Sequence, residues 1–255
     1  MLRVGVAEVV AYRAEFVIWI LTTNMPLVML ALWSAVAADG PVGRFGSTQF
    51  VAYYLATLIV RLLTSSWVVW QINMDIRSGA LATRLLRPVH PLLAYGVEHV
   101  AAVPLRVVVS APLVVVLLYN AGDVITVADP VIAAVLAASL VGAWLLMFLT
   151  MVMIGTLAMY MDSAIGLFEV WLGVHAIFSG YLVPIELLPA WVGSLARVLP
   201  FRYMLAFPVE TLIGLRDRAG ALTDLAVQWG YVAALLALTA FVWRTGMRRF
   251  ITFGG

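Results

Sequence analysis

The stretch from Gln71 to Pro91, QINMDIRSGALATRLLRPVHP, is the longest charged interruption between the apolar runs of this chain. Ser78 and Gly79 favour a turn, and Pro88 and Pro91 prevent a helix from continuing. The stretch therefore predicts a short helical segment, between a hinge and a stop, that separates two groups of membrane-spanning helices.

Leucines and arginines recur within this stretch at helical spacing. Leu81, Leu85 and Leu86 recur along one side, while Arg84 and Arg87 lie one turn apart. Such a helix can give its apolar side to the bundle and its arginines to lipid or to a partner protein. We interpret it as a docking element on the cytoplasmic face; a solvated, lipid-hugging loop is the alternative that composition leaves open. The residues assigned to docking are Asp75, Arg77, Arg84, Leu85 and Arg87.

The composition is that of an integral membrane protein. Hydrophobic residues make up 64% of the chain and charged residues 11%, against roughly 45–50% and 25% in soluble domains. Cysteine is absent, which excludes disulfides and thiolate metal sites. Lysine is absent as well, which excludes a Walker-type phosphate loop. Energy from ATP must therefore come from another chain, and nothing in the charge pattern indicates a nucleic acid partner.

The apolar runs predict an all-α fold with six spans in a single domain, 1–255. An interfacial elbow helix is expected over Met1–Glu15, which is too charged to span. Between spans five and six, Pro184, Pro189 and Pro200 divide an apolar stretch into helices too short to cross, expected over Leu187–Leu199 and Tyr203–Leu215. The six spans are expected at about 16–37, 49–70, 97–119, 131–160, 164–183 and 227–243.

Arginine placement predicts that both termini are cytoplasmic, because short cytoplasmic flanks are enriched in basic residues. This orientation leaves eight arginines inside and five outside. The inner group is Arg3, Arg13, Arg77, Arg84, Arg87, Arg244, Arg248 and Arg249, and the outer group is Arg44, Arg197, Arg202, Arg216 and Arg218.

The order of these segments resembles that of the type 2 ABC transporter permeases. Three strings carry the resemblance: IRSGALATRLLRPV at Ile76–Val89, SGYLVPIELLPAWVGSLARVLPFRYM at Ser179–Met204, and RRFITFGG at Arg248–Gly255. The resemblance implies that the first string is the coupling helix that touches the ATPase subunit. It also implies that the second forms a re-entrant outer hairpin, with Pro184, Glu186, Pro189 and Pro200 as its marking residues.

The same resemblance implies an exporter subunit in a bacterial inner membrane. Two ATP-binding subunits, which bind ATP and Mg, would lie beneath a pair of permeases that are identical or homologous. The expected cargo is amphiphilic or hydrophobic. An ion-gradient-driven carrier and a non-transport assembly protein are the alternatives. A carrier of that kind would need several intramembrane carboxylates, and the spans offer mainly Glu169.

Four ionisable residues fall within predicted spans: Arg61, Arg106, Glu169 and His175. A charge at the centre of a lipid-facing helix costs at least ~2.5–3.5 kcal/mol, so these side chains should face protein or water. Two explanations are open, a polar substrate path and structural pairing, for example of Arg61 with Glu169. Structural pairing is favoured; for Arg106, snorkelling to the interface is a further option.

Three glycines, Gly166, Gly173 and Gly180, recur every seven residues in the fifth span. Small residues at this interval let another helix approach closely. The resemblance assigns this strip to the seam between two permeases; Ala134, Ala138 and Gly142 form a rival strip in span four.

No enzymatic or metal site is expected on this chain. His90, His99 and His175 lie on different elements, and no His-Glu-x-x-His spacing occurs.

Overall fold

The protein is described by a computed structural model in which residues 25–125 and 129–252 are described. The regular elements of these residues are all helices. They are α1 Met25–Val36, α2 Ser47–Thr64, α3 Val68–Arg77, α4 Ala80–Leu85, α5 Pro91–Val100, α6 Val103–Ala121, α7 Pro130–Thr156, α8 Ile165–Phe178, α9 Ala190–Val198, α10 Phe201–Met204, α11 Ala206–Leu212 and α12 Arg218–Thr252. The expected elbow helix, the first part of span one and the last residues of the tail lie outside the described residues.

Four stretches are long and apolar enough to cross a membrane: Ser47–Arg77, Pro91–Ala121, Pro130–Met159 and Arg218–Phe250. They correspond to predicted spans two, three, four and six. Two further apolar stretches, Met25–Asp39 and Ile165–Phe178, are shorter. The helical membrane fold is thus confirmed, while the number of six spans stays a prediction.

Span two differs from its prediction at both its middle and its end. The expected continuous helix over 49–70 is interrupted after Thr64, whose hydroxyl donates to the Val60 carbonyl, and Ser65 adopts an extended conformation. Serine and threonine side chains compete for backbone partners in this way. The helix resumes as α3 and runs to Arg77. The first third of the expected docking stretch is therefore part of the span itself.

Span three is also two helices rather than one. It begins at Pro91, six residues before the expected start, because proline fits the first turn of a helix and His90 accepts from the Leu92 amide. A second helix, α6, starts after a turn at Ala101–Ala102 with Pro104 in its first turn.

Span five is shorter than expected from its hydropathy over 164–183. The helix α8 has 14 residues, which at 1.5 Å each give about 21 Å, against a hydrocarbon core of ~30 Å. It ends because Gly180 has φ +82° and the following turn is pinned to α2. Tyr53 donates to the Gly180 carbonyl at 2.7 Å, and Tyr54 donates to the Leu182 carbonyl at 2.8 Å.

Helix α7 is the centre of the molecule and packs against α2, α3, α8, α10, α11 and α12. Two glycines allow the closest of these approaches. A Cβ on Gly142 would lie 2.7 Å from the Gln228 amide of α12, and one on Gly155 would lie 3.0 Å from Ile72 of α3. Helix α12 of the same chain covers the surface at Gly142. The rival small-residue strip of span four is therefore not open at that position.

Candidate functional site

Helix α4 is folded under the bundle by the hinge that the sequence predicts. Ser78 ends α3 by donating to the Met74 carbonyl, and Gly79 reverses the chain with φ +75°. Leu81 is fully buried against Met159, just after the end of α7, and Trp243 of α12. One leucine thus anchors the short helix to two long ones.

Arg84 is part of an internal clamp, in contrast to its expected place on the docking surface. Its Nε lies 2.7 Å from Asp75 Oδ2 and its Nη1 lies 2.9 Å from Glu98 Oε1. Its guanidinium also lies 4.6 Å from the ring centre of Tyr95, whose hydroxyl donates to Asp75. Gln71 donates to the other oxygen of Glu98. The clamp therefore ties α4 to both α3 and α5.

The environment of Arg84 favours its charged form. Partial burial alone would lower the pKa of the guanidinium, but the hydrogen bond to Glu98 and the charge of Asp75 hold that pKa above its ordinary value. Only 19% of the Arg84 side chain is exposed. A substitution that reverses the charge of Arg84 would thus break the clamp. Its effect would be on the fold of this chain rather than on the contact with a partner protein.

The end of α4 and the turn after it, residues 85–89, are exposed and are here called the tip. Leu86 is 87% exposed and Val89 is 50% exposed, with Arg87 between them. Arg77 is exposed at the end of α3 as well. Of the expected docking residues, Arg77, Leu85 and Arg87 are on the surface, whereas Asp75 and Arg84 face each other.

A cavity of about 410 Å³ lies beside the α2–α3 break and is bounded by α2, α7 and α8. Arg61 and His175 both line it, which brings two of the four intramembrane ionisable residues together. Arg61 donates to the Tyr181 hydroxyl at 2.6 Å. Glu169 is exposed on α8, and the ion pairs between described residues include none between it and Arg61. The pairing of those two residues stays a prediction.

Arg106 explains how the α2–α3 break is tolerated within a span. Its Nη1 donates to the Ser65 carbonyl at 2.6 Å. Inside a bilayer, backbone groups released by a broken helix need a partner from protein or water. The arginine on α6 thus supplies a partner where helix α2 ends.

The segment between α8 and α12 consists of short pieces, and a proline precedes three of them. Pro184 precedes a 3₁₀ turn, Pro189 precedes α9, and Pro200 precedes α10. Glu186 forms an ion pair with Arg44 of the α1–α2 loop. The expected second helix over Tyr203–Leu215 is divided at Leu205, whose φ and ψ are −144° and −62°. Whether these pieces dip into a membrane stays a prediction.

Arg202 is buried, although the sequence suggested an exposed residue of the outer loop. Its Nη2 lies 2.8 Å from Glu210 Oε2 and 2.9 Å from Asp224 Oδ2. Arg216 Nε contacts the same two oxygens at 3.0 and 3.1 Å. The four charges cancel and join α10 and α11 to the start of α12. Sequence reasoning missed this cluster because its members are up to 22 residues apart and share no motif.

A family model described as ABC-2 family transporter protein matches residues 14–254. The chain belongs to the ABC-2 family of transporter proteins. No curated protein and no solved structure matches the chain. As an ABC-2 permease it is a multi-pass membrane subunit of an ABC transporter, a family that works with an ATP-binding subunit and generally lacks an ATPase site.

Family membership confirms the resemblance and favours a permease over the two other expected classes.

The three glycines assigned to the seam do not form one strip. Gly166 and Gly173 lie on the exposed side of α8, where an added Cβ would meet nothing within 4 Å in the part of the chain that the structure describes. Gly180 lies beyond the helix end and is buried, and an added Cβ there would lie 2.5 Å from the Tyr53 hydroxyl. Gly180 is thus required by its turn, because only glycine readily adopts this backbone conformation.

Proposed function

We propose that this permease exports an amphiphilic substrate from the cytoplasm, driven by ATP that a separate ATP-binding subunit binds and hydrolyses with Mg. The observation that carries the proposal is the exposed tip, residues 85–89, held in place by the clamp of Asp75, Arg84 and Glu98. The chain would lie in a bacterial inner membrane with both termini in the cytoplasm, so that the tip faces the ATP-binding subunit.

The clamp gives the tip a mechanical connection to the membrane domain. A force on the tip acts on α4, and through Arg84 on α3 and α5 at once. Helix α3 crosses α7 closely, since a Cβ added to Gly155 would lie 3.0 Å from Ile72. Motion of the tip is therefore transmitted to the N-terminal end of α3, where the break at residues 65–67 borders the cavity.

The test changes exposed residues of the tip and leaves the clamp residues Asp75, Arg84 and Glu98 unchanged. The double variant Leu86→Asp with Arg87→Glu removes the apolar contact and inverts the charge, and should weaken association with the ATP-binding subunit. Arg244→Glu is the matched control, because Arg244 is an exposed arginine on α12. Co-purification in mild detergent measures the outcome. Undiminished association of the double variant would contradict the assignment of the tip.

We further propose that a second permease, identical or homologous, packs on the open side of α8 around Gly166 and Gly173, with two ATP-binding subunits below. The support is that, among residues 25–125 and 129–252, no atom lies within 4 Å of an added Cβ at either glycine, since close helix approach in lipid relies on small residues. Gly166→Leu should weaken cross-linking between permeases, whereas Gly230→Leu on α12, also in open space, should not. Equal cross-linking of both variants would contradict this seam.

A further inference from the structure

The cavity beside the α2–α3 break is lined mainly by apolar side chains. Trp67 and Trp171 both pack on the ring of Phe168, with ring centres 6.1 and 6.3 Å from it, and the partly exposed Met147 of α7 lines the cavity with them. At about 410 Å³, the cavity has the size of a small-molecule site, for which about 300–1,000 Å³ is usual. Its size and surface thus suit a ring system or a hydrocarbon chain.

The polar groups around the break are not available to a bound molecule. Thr64 Oγ1 donates to a backbone carbonyl one turn earlier at 2.8 Å, and the Ser65 carbonyl accepts from Arg106 at 2.6 Å. Ser66 Oγ and His175 Nε2 have no hydrogen-bond partner among the described residues, but both atoms are fully buried, so a molecule in the cavity cannot reach them. These polar groups therefore do not select a ligand.

Arg61 is engaged by its own chain. Its Nη1 donates to the Tyr181 hydroxyl at 2.6 Å, and its guanidinium carbon lies 5.0 Å from the centre of the Tyr181 ring. Hydrogen bonds from a charged donor are among the stronger ones in proteins, so an anion would have to compete with Tyr181 for this group. A cation would find no carboxylate among the described residues of the lining. Because a buried charge without a partner is costly, the lining disfavours ligand groups of either sign.

Leu172 and Gly173 connect the cavity to the surface of the bundle, because both line it and both are exposed on α8. An exposed carboxylate, that of Glu169, lies one turn before Gly173 and outside the lining. It would repel an anion at this opening and would hold a cation at the surface rather than inside. The opening thus favours an uncharged group as well.

We infer that the cavity binds an uncharged apolar group, a ring system or a hydrocarbon chain, and that it selects against charge of either sign. It tolerates different shapes, because methionine side chains such as Met147 adapt to irregular contacts. This inference rests on the proposed function and deepens it, because it assigns the uncharged part of an amphiphilic substrate to this cavity and leaves the polar head group outside.

The test compares three photoreactive probes of similar size: neutral 4-methylbenzophenone, anionic benzophenone-4-sulfonate and cationic (4-benzoylbenzyl)trimethylammonium. Each is illuminated with the permease complex in nanodiscs of zwitterionic lipid, and mass spectrometry locates the labelled residues. Benzophenones react readily with methionine, so Met147 reports on the cavity and the exposed Met161 reports on the probe concentration at the membrane. The ratio of labelling at Met147 to that at Met161 should be at least about tenfold higher for the neutral probe than for either ion, since an unpaired charge is costly to bury.

Competition shows whether the labelling comes from a binding site. Excess diphenylmethane or dodecane should lower the labelling of Met147 by the neutral probe and leave that of Met161 unchanged. The stronger of the two competitors shows whether the cavity prefers a ring system or a chain. Labelling of Met147 that neither compound lowers, or an equal ratio for the neutral probe and either ion, would overturn the inference.

A variant that fills the cavity gives a second, independent measurement. Ala176 lines the cavity, so Ala176→Trp should lower the labelling of Met147 by the neutral probe several-fold. Val174→Trp is the matched control, because Val174 is exposed and, two residues earlier on α8, lies on nearly the opposite side of the helix. Equal labelling of the two variants would contradict the inference. If Ala176→Trp failed to fold, the smaller change Ala176→Leu would replace it, and the comparison of probes on the native complex would still decide.

The same preparations separate this inference from the proposed function. A complex that retains its ATP-binding subunit but labels equally with all three probes would reject only the ligand class. A permease that prefers the neutral probe but never associates with an ATP-binding subunit would reject only the proposed energy source.

Discussion

At the scale of single residues, Gln228 is the polar side chain on which the centre of the bundle depends. Its Nε2 donates to the Ser139 carbonyl of α7 at 2.9 Å and to the Tyr203 carbonyl of α10 at 2.8 Å. It reaches both because Gly142 leaves room for its amide group. One glycine and one glutamine thus connect α7, α10 and α12.

Gly142→Ala should therefore destabilise the protein, because the new methyl group would lie 2.7 Å from the Gln228 amide. Overpacking of this kind costs about 1–3 kcal/mol, and displacement of the amide would break both of its hydrogen bonds. Thermal unfolding in detergent measures the effect. Gly166→Ala makes the same change in open space and should not destabilise; equal unfolding temperatures for the two variants would show that the contact does not matter.

Arg202 is the second residue with a large predicted effect. Removal of one partner from a buried ion pair leaves uncompensated charge, which costs about 3–5 kcal/mol. Arg202→Met leaves Glu210 and Asp224 with Arg216 alone, and should lower the unfolding temperature far more than Arg197→Met on the exposed side of α9. If both variants had the same unfolding temperature, the cluster would not hold the outer segment to α12.

At the scale of the elements, hydropathy predicted where apolar helices lie but not where they break. The span Pro130–Met159 was expected at 131–160, because nothing in it competes with helix formation. The break at residues 65–67 was missed, because Thr64, Ser65 and Ser66 are common inside spans and the partner that stabilises the break, Arg106, is on another helix. The end of α8 was missed for the same reason, since Tyr53 and Tyr54 of α2 fix it.

The candidate site was predictable to a similar extent. The hinge at Gly79 and the burial of Leu81 follow from glycine and leucine placement. The direction in which Arg84 points does not, because it depends on Glu98, fourteen residues away on α5. Short-range patterns thus located the short helix α4, and long-range pairing decided which charges of the stretch from Gln71 to Pro91 are exposed.

Arg106→Met tests whether a side chain from α6 supports the break. The variant removes the hydrogen bond that Arg106 donates to the Ser65 carbonyl, in a region where water is scarce, so about 1–3 kcal/mol of stability should be lost. Arg106→Lys retains a donor and should recover part of the loss. Thermal unfolding in detergent again measures the effect, and full stability of Arg106→Met would mean that another donor satisfies the carbonyl.

At the scale of the whole molecule, the account requires the tip and helix α9 to lie on opposite sides of the membrane. The sequence contains no cysteine. In a single-cysteine variant, the introduced residue is therefore the thiol that a labelling reagent detects. Ser194→Cys on the exposed side of α9 should react with a membrane-impermeant thiol reagent added from outside, whereas Ala196→Cys, a buried position, should not. Reaction of Ser194→Cys only from the cytoplasmic side would invert the orientation.

The central claim is that the tip is where the ATP-binding subunit docks, and cross-linking from Leu86 tests it most directly. Leu86→Cys in otherwise native membranes should cross-link to the ATP-binding subunit, while Leu236→Cys, on a lipid-exposed part of α12, should not. Addition of ATP should change the yield at Leu86, because the subunits move when nucleotide binds. A Leu86 cross-link to lipid or to another permease, with none to the ATP-binding subunit, would contradict the account.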